Sequence, residues 1–176
     1  INYLSNHLSD DAIIASGAGN YAGWLHRYFR YKSFQTQLAP TSGSMGYALP
    51  AAISAKLSNP GREVICLTGD GCFQMTMQEF GTAMQYGLKI IVIIINNGQY
   101  GTIRMHQEKK YPDRPSGTKI KNPDFAGLAN CYGAIGYKVY QTNQFPDALS
   151  KALASESSSI IEIQTDPCAL SQTTTV

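Results

Sequence analysis

The feature that most constrains the fold is an alternation of short apolar runs with helical patterns. Two of these runs, residues 64–67 and 90–95, contain only apolar residues. A strand without polar alternation is buried on both faces, which is typical of parallel sheets. We therefore predict an α/β fold with a doubly wound, mostly parallel sheet of about six strands and helices on both faces.

The other elements follow the same alternation. We predict further strands at residues 12–15, 34–38, 137–140 and 160–164, and helices at residues 21–29, 45–57, 75–86, 122–132 and 145–154. Residues 109–122 are polar and contain two prolines, which predicts a long loop. A chain of 176 residues suffices for one domain with a sizeable core. Because it begins at Ile1, we expect it to be a piece of a longer polypeptide.

Composition narrows the classes of partner. With 43% hydrophobic and 15% charged residues, the chain should be globular, and its net charge of +2 favours no charged partner. Its basic residues are scattered, so we expect no nucleic-acid partner. The longest apolar run is too short to cross a bilayer, so we expect no membrane insertion. The four cysteines lie far apart, which favours a reducing, cytoplasmic location.

Ligands of such sheets bind at the carboxyl ends of the strands, where three segments qualify. The first, residues 17–22, matches the G-x-G-x-x-G/A pattern of dinucleotide sites. That pattern requires an acidic residue about 20 positions later, and no Asp or Glu lies between Ala12 and Arg62. The segment remains open to three interpretations: a nicotinamide-dinucleotide site, a tight turn, or a helix N-terminus that meets a phosphate.

The other two segments are Gly69-Asp70-Gly71 and Asn96-Asn97. Each alone is typical of a turn. They are separated by 24 residues, which one helix and one strand fill, so neighbouring strands would place Asp70 beside Asn97. A carboxylate and an amide oxygen next to glycine-exposed backbone suit Mg²⁺ that also holds ligand phosphates, and Gly71 leaves room for a diphosphate.

Taken together, the two segments resemble the two-part thiamine-diphosphate motif. Residues 43–52, Gly-Ser-Met-Gly-Tyr-Ala-Leu-Pro-Ala-Ala, are similar to the G-x-M-G-x-x-L-P-A-A segment of the same family. Over nearly its whole length, the chain looks like the C-terminal, diphosphate-binding domain of the acetolactate synthase and 2-oxo acid decarboxylase group. The resemblance implies that residues 1–176 are one thiamine-diphosphate-binding domain, with Mg²⁺ as the second cofactor.

The resemblance also assigns roles to residues. Asp70 and Asn97 would ligate Mg²⁺ through their side chains, and Gln99 through its backbone carbonyl. Met45 would hold the cofactor in its bent form, and the Gly43 carbonyl would accept a hydrogen bond from the aminopyrimidine. The whole implied cofactor-binding set is Gly19, Asn20, Gly43, Ser44, Met45, Gly69, Asp70, Gly71, Cys72, Asn97, Gln99, Tyr100 and Gly101.

Within this set, the backbone N–H groups of Gly71 and Cys72 would bind the diphosphate, and Asn20 would reach it from the first turn. Met45 has an alternative interpretation, as a core residue at the start of a helix. Its flexible thioether nevertheless suits an irregular gap between two rings.

The chemistry implied by the family is decarboxylation of a 2-oxo acid, then protonation or transfer of the carbanion to a second carbonyl. In this family the activating Glu comes from a pyrimidine-binding domain of the same or another subunit, and Glu63, Glu79 and Glu108 are poorly placed for that role. We therefore expect no catalytic residue in this chain, no turnover by the chain alone, and a homodimer or homotetramer. Whether FAD binds elsewhere in the protein stays open.

Two departures limit the substrate prediction. Anabolic acetolactate synthases typically carry a Trp shortly after the Asn pair, where this chain has Met105-His106-Gln107. Pyruvate decarboxylases tend to have Glu where this chain has Arg104. Arg104 is either a partner for a substrate carboxylate or a surface arginine, and His106 is either an acid–base group or a loop residue without a role. The predicted function is an acetolactate synthase-like carboligase. A benzoylformate- or pyruvate-decarboxylase-like enzyme and a non-catalytic domain are the alternatives.

Overall fold

A six-stranded sheet dominates the computed structural model, which describes residues 1–175. All five strand pairings are parallel, and the spatial order is β2-β1-β3-β4-β6-β5. The strands are β1 (Ile13–Ser16), β2 (Gln37–Leu38), β3 (Val64–Gly69), β4 (Ile91–Asn96), β5 (Ile135–Val139) and β6 (Ser159–Gln164). The predicted α/β class, the parallel pairing and the number of strands are confirmed.

Eight α-helices connect and cover these strands in the part of the chain that the structure describes. They are α1 (Asn2–His7), α2 (Tyr21–Tyr28), α3 (Ala48–Ser58), α4 (Asp70–Gln74), α5 (Phe80–Gln85), α6 (Gly101–Lys110), α7 (Phe125–Cys131) and α8 (Phe145–Ala154). A small antiparallel hairpin follows, made of β7 (Ala169–Ser171) and β8 (Thr174–Thr175). Over residues 1–175, no helix has both the length and the apolar character that crossing a membrane requires.

The sheet is covered on both faces. On one face, α3, α4, α5 and α7 bury Phe73, Phe80 and Phe125, and the rings of Phe73 and Phe125 meet edge to face at 5.5 Å. On the other face, α1, α2 and α8 bury Leu25 and Leu149. Burial of each such side chain contributes about 1.5–3 kcal/mol, so the two apolar layers hold the strand ends in fixed positions.

Several predicted helices differ from the structure at their boundaries, and the one predicted at residues 122–132 spans only Phe125–Cys131. The helix predicted at residues 45–57 begins only at Ala48, because Gly46 has a φ of +84°, outside the helical region. In place of the helix predicted at residues 75–86 there is a 3₁₀ turn (Met77–Glu79) followed by α5, and this pair is divided from the preceding helix α4. The division falls at Thr76, whose φ is −140° and whose hydroxyl donates to the carbonyl of Gly46 at 2.9 Å.

Three α-helices (α1, α4 and α6) and one hairpin were not predicted. Helix α6 extends to Lys110, two residues into the predicted loop, and neither α1 nor the β7–β8 hairpin was expected. The mean hydropathy of α6 is low and it buries no residue, so it lacks the apolar stripe by which an amphipathic helix is detected.

The topology places the functional segments side by side. Strands β3 and β4 are neighbours, and Gly69 pairs with Ile95 at their carboxyl ends. Asp70 therefore follows β3 at the same edge of the sheet where Asn96 ends β4 and Asn97 follows it. The neighbourhood on which the predicted metal site depends is confirmed.

Candidate functional site

A cleft of about 800 Å³ opens at the carboxyl ends of the central strands. It is lined by most of the predicted cofactor-binding residues, namely Gly19, Asn20, Met45, Gly69, Asp70, Gly71, Cys72, Asn97, Gln99, Tyr100 and Gly101. Gly43, Ser44, Arg104 and His106 are not among the lining residues. The fold thus brings four separate stretches of the chain to one cavity.

Asp70 is the buried anion of this cleft, with a relative exposure of 3%. Its Oδ1 accepts a hydrogen bond from the Gly71 N–H at 2.9 Å. Its Oδ2 accepts from the Gly98 N–H at 2.9 Å and from Asn122 Nδ2 at 2.7 Å. Burial raises the pKa of the Asp70 carboxyl, and these donors oppose that rise. The bond from Gly98 ties the end of β3 directly to the turn after β4.

The turn after β4 is itself fixed by hydrogen bonds. Asn97 Oδ1 accepts from the Gln99 N–H at 3.2 Å. The Gly98 carbonyl accepts from the Ile120 N–H at 2.9 Å, and the Tyr100 N–H donates to a carbonyl of the same facing segment at 2.8 Å. The Gln99 side chain donates to the carbonyl of Pro167. The metal role predicted for Gln99 concerns only its backbone carbonyl.

The oxygen atoms at this edge suit a hard cation. A carboxylate has about four lone-pair positions, and the three N–H donors to Asp70 leave one of them open on Oδ1. Within residues 1–175 there is no group of three His, Cys, Asp or Glu side chains that would hold a metal unaided. One carboxylate and one amide oxygen match Mg²⁺ that completes its coordination with ligand phosphates and water.

Two glycines allow this edge to pack closely. A Cβ on Gly71 would lie 2.8 Å from Cε1 of Tyr100 and 3.0 Å from Cδ1 of Ile120. A Cβ on Gly69 would lie 2.8 Å from Cε1 of Tyr21. The space at Gly71, which we predicted for a diphosphate, is therefore bordered by the ring of Tyr100.

Cys72 lies one residue further along the same short helix, α4. Its Sγ donates to the carbonyl of Ala18 at 2.7 Å, and burial raises the pKa of its thiol. The thiol is therefore protonated at neutral pH, and its bond to Ala18 links the turn after β1 to the start of α4. Its place in the cleft agrees with the predicted diphosphate role of its backbone, which the structure leaves untested.

Asn20 lies in the first turn with its side chain already engaged. Its Nδ2 donates to the carbonyl of Leu170 at 2.7 Å, and its Oδ1 accepts from the Thr102 hydroxyl at 3.1 Å. These bonds join the first turn to α6 and to the β7–β8 hairpin. A phosphate ligand would compete with the Leu170 carbonyl for Nδ2, whereas the amide oxygen could keep its bond from Thr102.

The Gly43–Met45 segment is far less confined. Met45 is 38% exposed and lines the cleft, whereas the Ser44 hydroxyl pairs with that of Ser42 at 2.9 Å on the exposed surface. Gly43 has a φ of +67°, which favours glycine. Met45 is therefore not the buried core residue of the alternative interpretation.

Arg104 and His106 lie on α6, outside the cleft lining. The Arg104 guanidinium forms an ion pair with Glu108, four residues later, and Glu108 also accepts from the Asp113 N–H at 3.0 Å. His106 is exposed. The structure therefore gives no support to a substrate contact by either residue.

The sequence did not predict the residues that hydrogen-bond to Asp70 and to the neighbouring Asn96. Asn122 touches both strand ends, and the buried Glu162 of β6 accepts from Asn96 Nδ2 at 2.8 Å. Asn122 was read only as the start of a predicted helix. An acidic residue in the buried, otherwise mostly apolar strand β6 was the one available signal, since a buried carboxylate needs hydrogen-bond partners.

Comparison with known proteins identifies the family. The model of the family described as "Thiamine pyrophosphate enzyme, C-terminal TPP binding domain" matches residues 17–163. The chain belongs to this family. The predicted family and its thiamine-diphosphate cofactor are confirmed, and the match decides against the dinucleotide interpretation of residues 17–22.

Individual relatives of the thiamine pyrophosphate family support the same assignment. The chain is 36% identical over 161 residues to an acetolactate synthase of Arthrospira platensis, covering 90% of this chain and 28% of that protein. It is 38% identical over 158 residues to the acetolactate synthase large subunit of Corynebacterium glutamicum, covering 86% of this chain and 25% of that subunit. The chain thus spans about a quarter of the length of these relatives.

A solved structure shares the fold. The thiamine diphosphate-dependent 4-hydroxybenzoylformate decarboxylase of Rhodococcus jostii RHA1 superposes with a TM-score of 0.87 at 30% sequence identity. The match covers 94% of this chain and 31% of that enzyme.

Proposed function

We propose that the chain is the C-terminal cofactor-binding domain of an acetolactate synthase-like enzyme. Such an enzyme decarboxylates a 2-oxo acid and transfers the carbanion to a second carbonyl. The observation that carries the proposal is the hydrogen bond from the Gly98 N–H to Asp70 Oδ2, 2.9 Å long. It joins the two halves of the motif at one sheet edge, in a family defined by its cofactor.

In this proposal Asp70, Asn97 and the Gln99 carbonyl hold Mg²⁺. The geometry favours Oδ1 of Asp70 as the ligand atom, because Oδ2 already accepts two hydrogen bonds. Held there, the ion would offset the charge of the carboxylate that burial otherwise penalises, and it would supply affinity for the diphosphate. Thiamine diphosphate, when bound, would supply the electron sink for decarboxylation, and Met45, which lines the cleft, would support its bent form.

We further propose that the activating Glu comes from a pyrimidine-binding domain of the same or another subunit. The acidic side chains that line the cleft in residues 1–175 are Asp70 and Asp166, and neither is a glutamate. The same proposal includes a homodimer or homotetramer and a cytoplasmic location, and it leaves open whether FAD binds elsewhere in the protein. The four unpaired cysteines of the described residues support the cytoplasmic location.

Product identification tests this function. The full-length gene product would be incubated with thiamine diphosphate, Mg²⁺ and pyruvate, and compared with Asp70→Ala and with the surface variant Asp147→Ala. We expect acetolactate from the wild type and from Asp147→Ala, and none from Asp70→Ala. Turnover by residues 1–176 alone would contradict the proposed dependence on a second domain.

A simple decarboxylase is the second candidate. The superposition on the 4-hydroxybenzoylformate decarboxylase at 30% identity favours it, and the same assay separates the two. Release of an aldehyde from pyruvate or from an aromatic 2-oxo acid, without a carboligation product, would establish this alternative. Cofactor binding without turnover of any 2-oxo acid would instead indicate a non-catalytic domain.

A further inference from the structure

The side chain of Asn122 lies where the ends of β3 and β4 meet. Its Nδ2 donates to Asp70 Oδ2 at 2.7 Å and to Asn96 Oδ1 at 2.8 Å. Its Oδ1 accepts from Gln74 Nε2 at 2.7 Å. Both N–H groups of this amide and its oxygen are therefore in use, which fixes the amide in a single orientation.

The contacts of Asn122 continue into the sheet. Asn96 Nδ2 donates to Glu162 Oε1 at 2.8 Å, and the Gly98 N–H donates to Asn96 Oδ1 at 3.1 Å. Asn96 and Glu162 are 5% and 4% exposed. A chain of hydrogen bonds thus runs from a buried carboxylate of β6, through two amides, to the carboxylate of Asp70.

We propose that Asn122 is a positioning residue for the metal ligand Asp70. This inference rests on the proposed function, because it assigns Asn122 a role only through the Mg²⁺ that Asp70 would hold. By bonding to Oδ2, Asn122 fixes the carboxylate of Asp70, which lines the cleft, and leaves Oδ1 with a single partner, the Gly71 N–H. Residues that hydrogen-bond to a metal ligand without contacting the metal commonly contribute about 10- to 100-fold to metal affinity.

A purely structural role would leave a different signature. If Asn122 only anchored its loop to the sheet, its loss would lower the stability of the protein without changing the Mg²⁺ requirement. If it positions Asp70, its loss weakens Mg²⁺ binding in protein that is still folded. The Mg²⁺ concentration at half-saturation therefore separates the two roles, and unfolding temperature is measured beside it.

The test is a Mg²⁺ titration of the full-length gene product at saturating thiamine diphosphate, followed by calorimetry. Asn122→Ala removes both donations to the strand ends. Gln74→Met keeps Asn122 but removes the bond that orients its amide, and it serves if Asn122→Ala does not fold. Asn130→Ala is the matched control, because Asn130 bonds only locally, to the Gly136 N–H at 3.3 Å.

We expect the half-saturating Mg²⁺ concentration to rise about tenfold or more in Asn122→Ala, to rise less in Gln74→Met, and to stay unchanged in Asn130→Ala. A folded Asn122→Ala with the wild-type Mg²⁺ requirement would overturn the inference, as would an unchanged requirement in Gln74→Met if Asn122→Ala fails to fold. Absence of any Mg²⁺-dependent cofactor binding in the wild type would overturn the proposed function itself.

Discussion

The two sides of the cleft are built in opposite ways. At the β3–β4 edge, Asp70 is 3% exposed and accepts three hydrogen bonds from three different residues. On the other side, Met45 is 38% exposed, and the neighbouring Ser42 and Ser44 hydroxyls bond to each other on the surface. On the first side, this chain supplies all three hydrogen bonds to Asp70. The second side presents the apolar side chain of Met45 to a ligand in the cleft.

The contrast shows which part of the site folding alone supplies. Residues of the β3–β4 edge are held by the sheet and by the apolar layers behind it, so they are pre-arranged before any ligand binds. Met45 is only partly covered by this chain, and the exposed part of its side chain is available to a ligand or a second domain. Stability and cofactor affinity should therefore respond differently to substitutions on the two sides.

Truncation of Leu49 and Met45 gives the largest expected difference. Leu49, four residues after Met45, is 1% exposed, so Leu49→Ala should lower the free energy of unfolding by about 2–5 kcal/mol. Met45→Ala should change it by no more than about 0.5 kcal/mol while weakening thiamine-diphosphate binding. Urea unfolding and cofactor titration measure the two effects. A loss of stability in Met45→Ala as large as in Leu49→Ala would return Met45 to the core.

Alanine at Gly71 tests the close packing of the β3–β4 edge. The new Cβ would meet Tyr100 at 2.8 Å, so we expect a loss of about 1–3 kcal/mol in stability together with weaker cofactor binding. Gly61→Ala is the control, because a Cβ there has nothing within 4 Å. Thermal unfolding of both variants gives the comparison. An equal change in stability in the two variants would show that Gly71 is not closely packed against Tyr100.

The pH dependence of stability isolates the buried carboxylate. Burial raises the pKa of Asp70 in the folded protein, so protonation favours folding. In Mg²⁺-free protein this contribution is complete below the ordinary pKa of about 3.8 and is lost as pH rises through the raised value. Relative to Asp70→Ala, the wild type should thus become less stable with rising pH. The total loss is about 1.4 kcal/mol for each pH unit by which folding raises the pKa of Asp70.

Urea unfolding from pH 4 to 7 measures this trend. Saturating Mg²⁺ and thiamine diphosphate should reverse it, because the cation favours the ionised carboxylate. A wild type that gains stability relative to Asp70→Ala over the same range, without Mg²⁺, would show that the hydrogen bonds to Asp70 outweigh its burial.

Much of this organisation could be predicted from the sequence. The continuous apolar runs gave the parallel sheet, and the 24-residue spacing correctly implied that Asp70 and Asn97 follow neighbouring strands. Asn122 could not be predicted as their partner, because a long loop brings it back to the sheet edge and no local pattern encodes that return. Helix α6 was missed for a related reason, since it has no buried residue to mark a period.

The smallest effect is expected at Arg104. Its guanidinium is paired with Glu108 and does not line the cleft, so Arg104→Met should change the KM for the 2-oxo acid by less than about twofold. Steady-state kinetics of the full-length gene product checks this. An increase of tenfold or more, with kcat unchanged, would establish the carboxylate-binding role that the sequence left open for Arg104.

The central claim is that the β3–β4 edge of this chain binds thiamine diphosphate through Mg²⁺ held by Asp70. Calorimetric titration of thiamine diphosphate into the full-length gene product, with and without Mg²⁺, tests it most directly when Asp70→Ala is measured in parallel. We predict binding by the wild type only with Mg²⁺, and a loss of at least about 100-fold in Asp70→Ala. Equal affinity of the two proteins, or binding by the wild type that ignores Mg²⁺, would contradict the account.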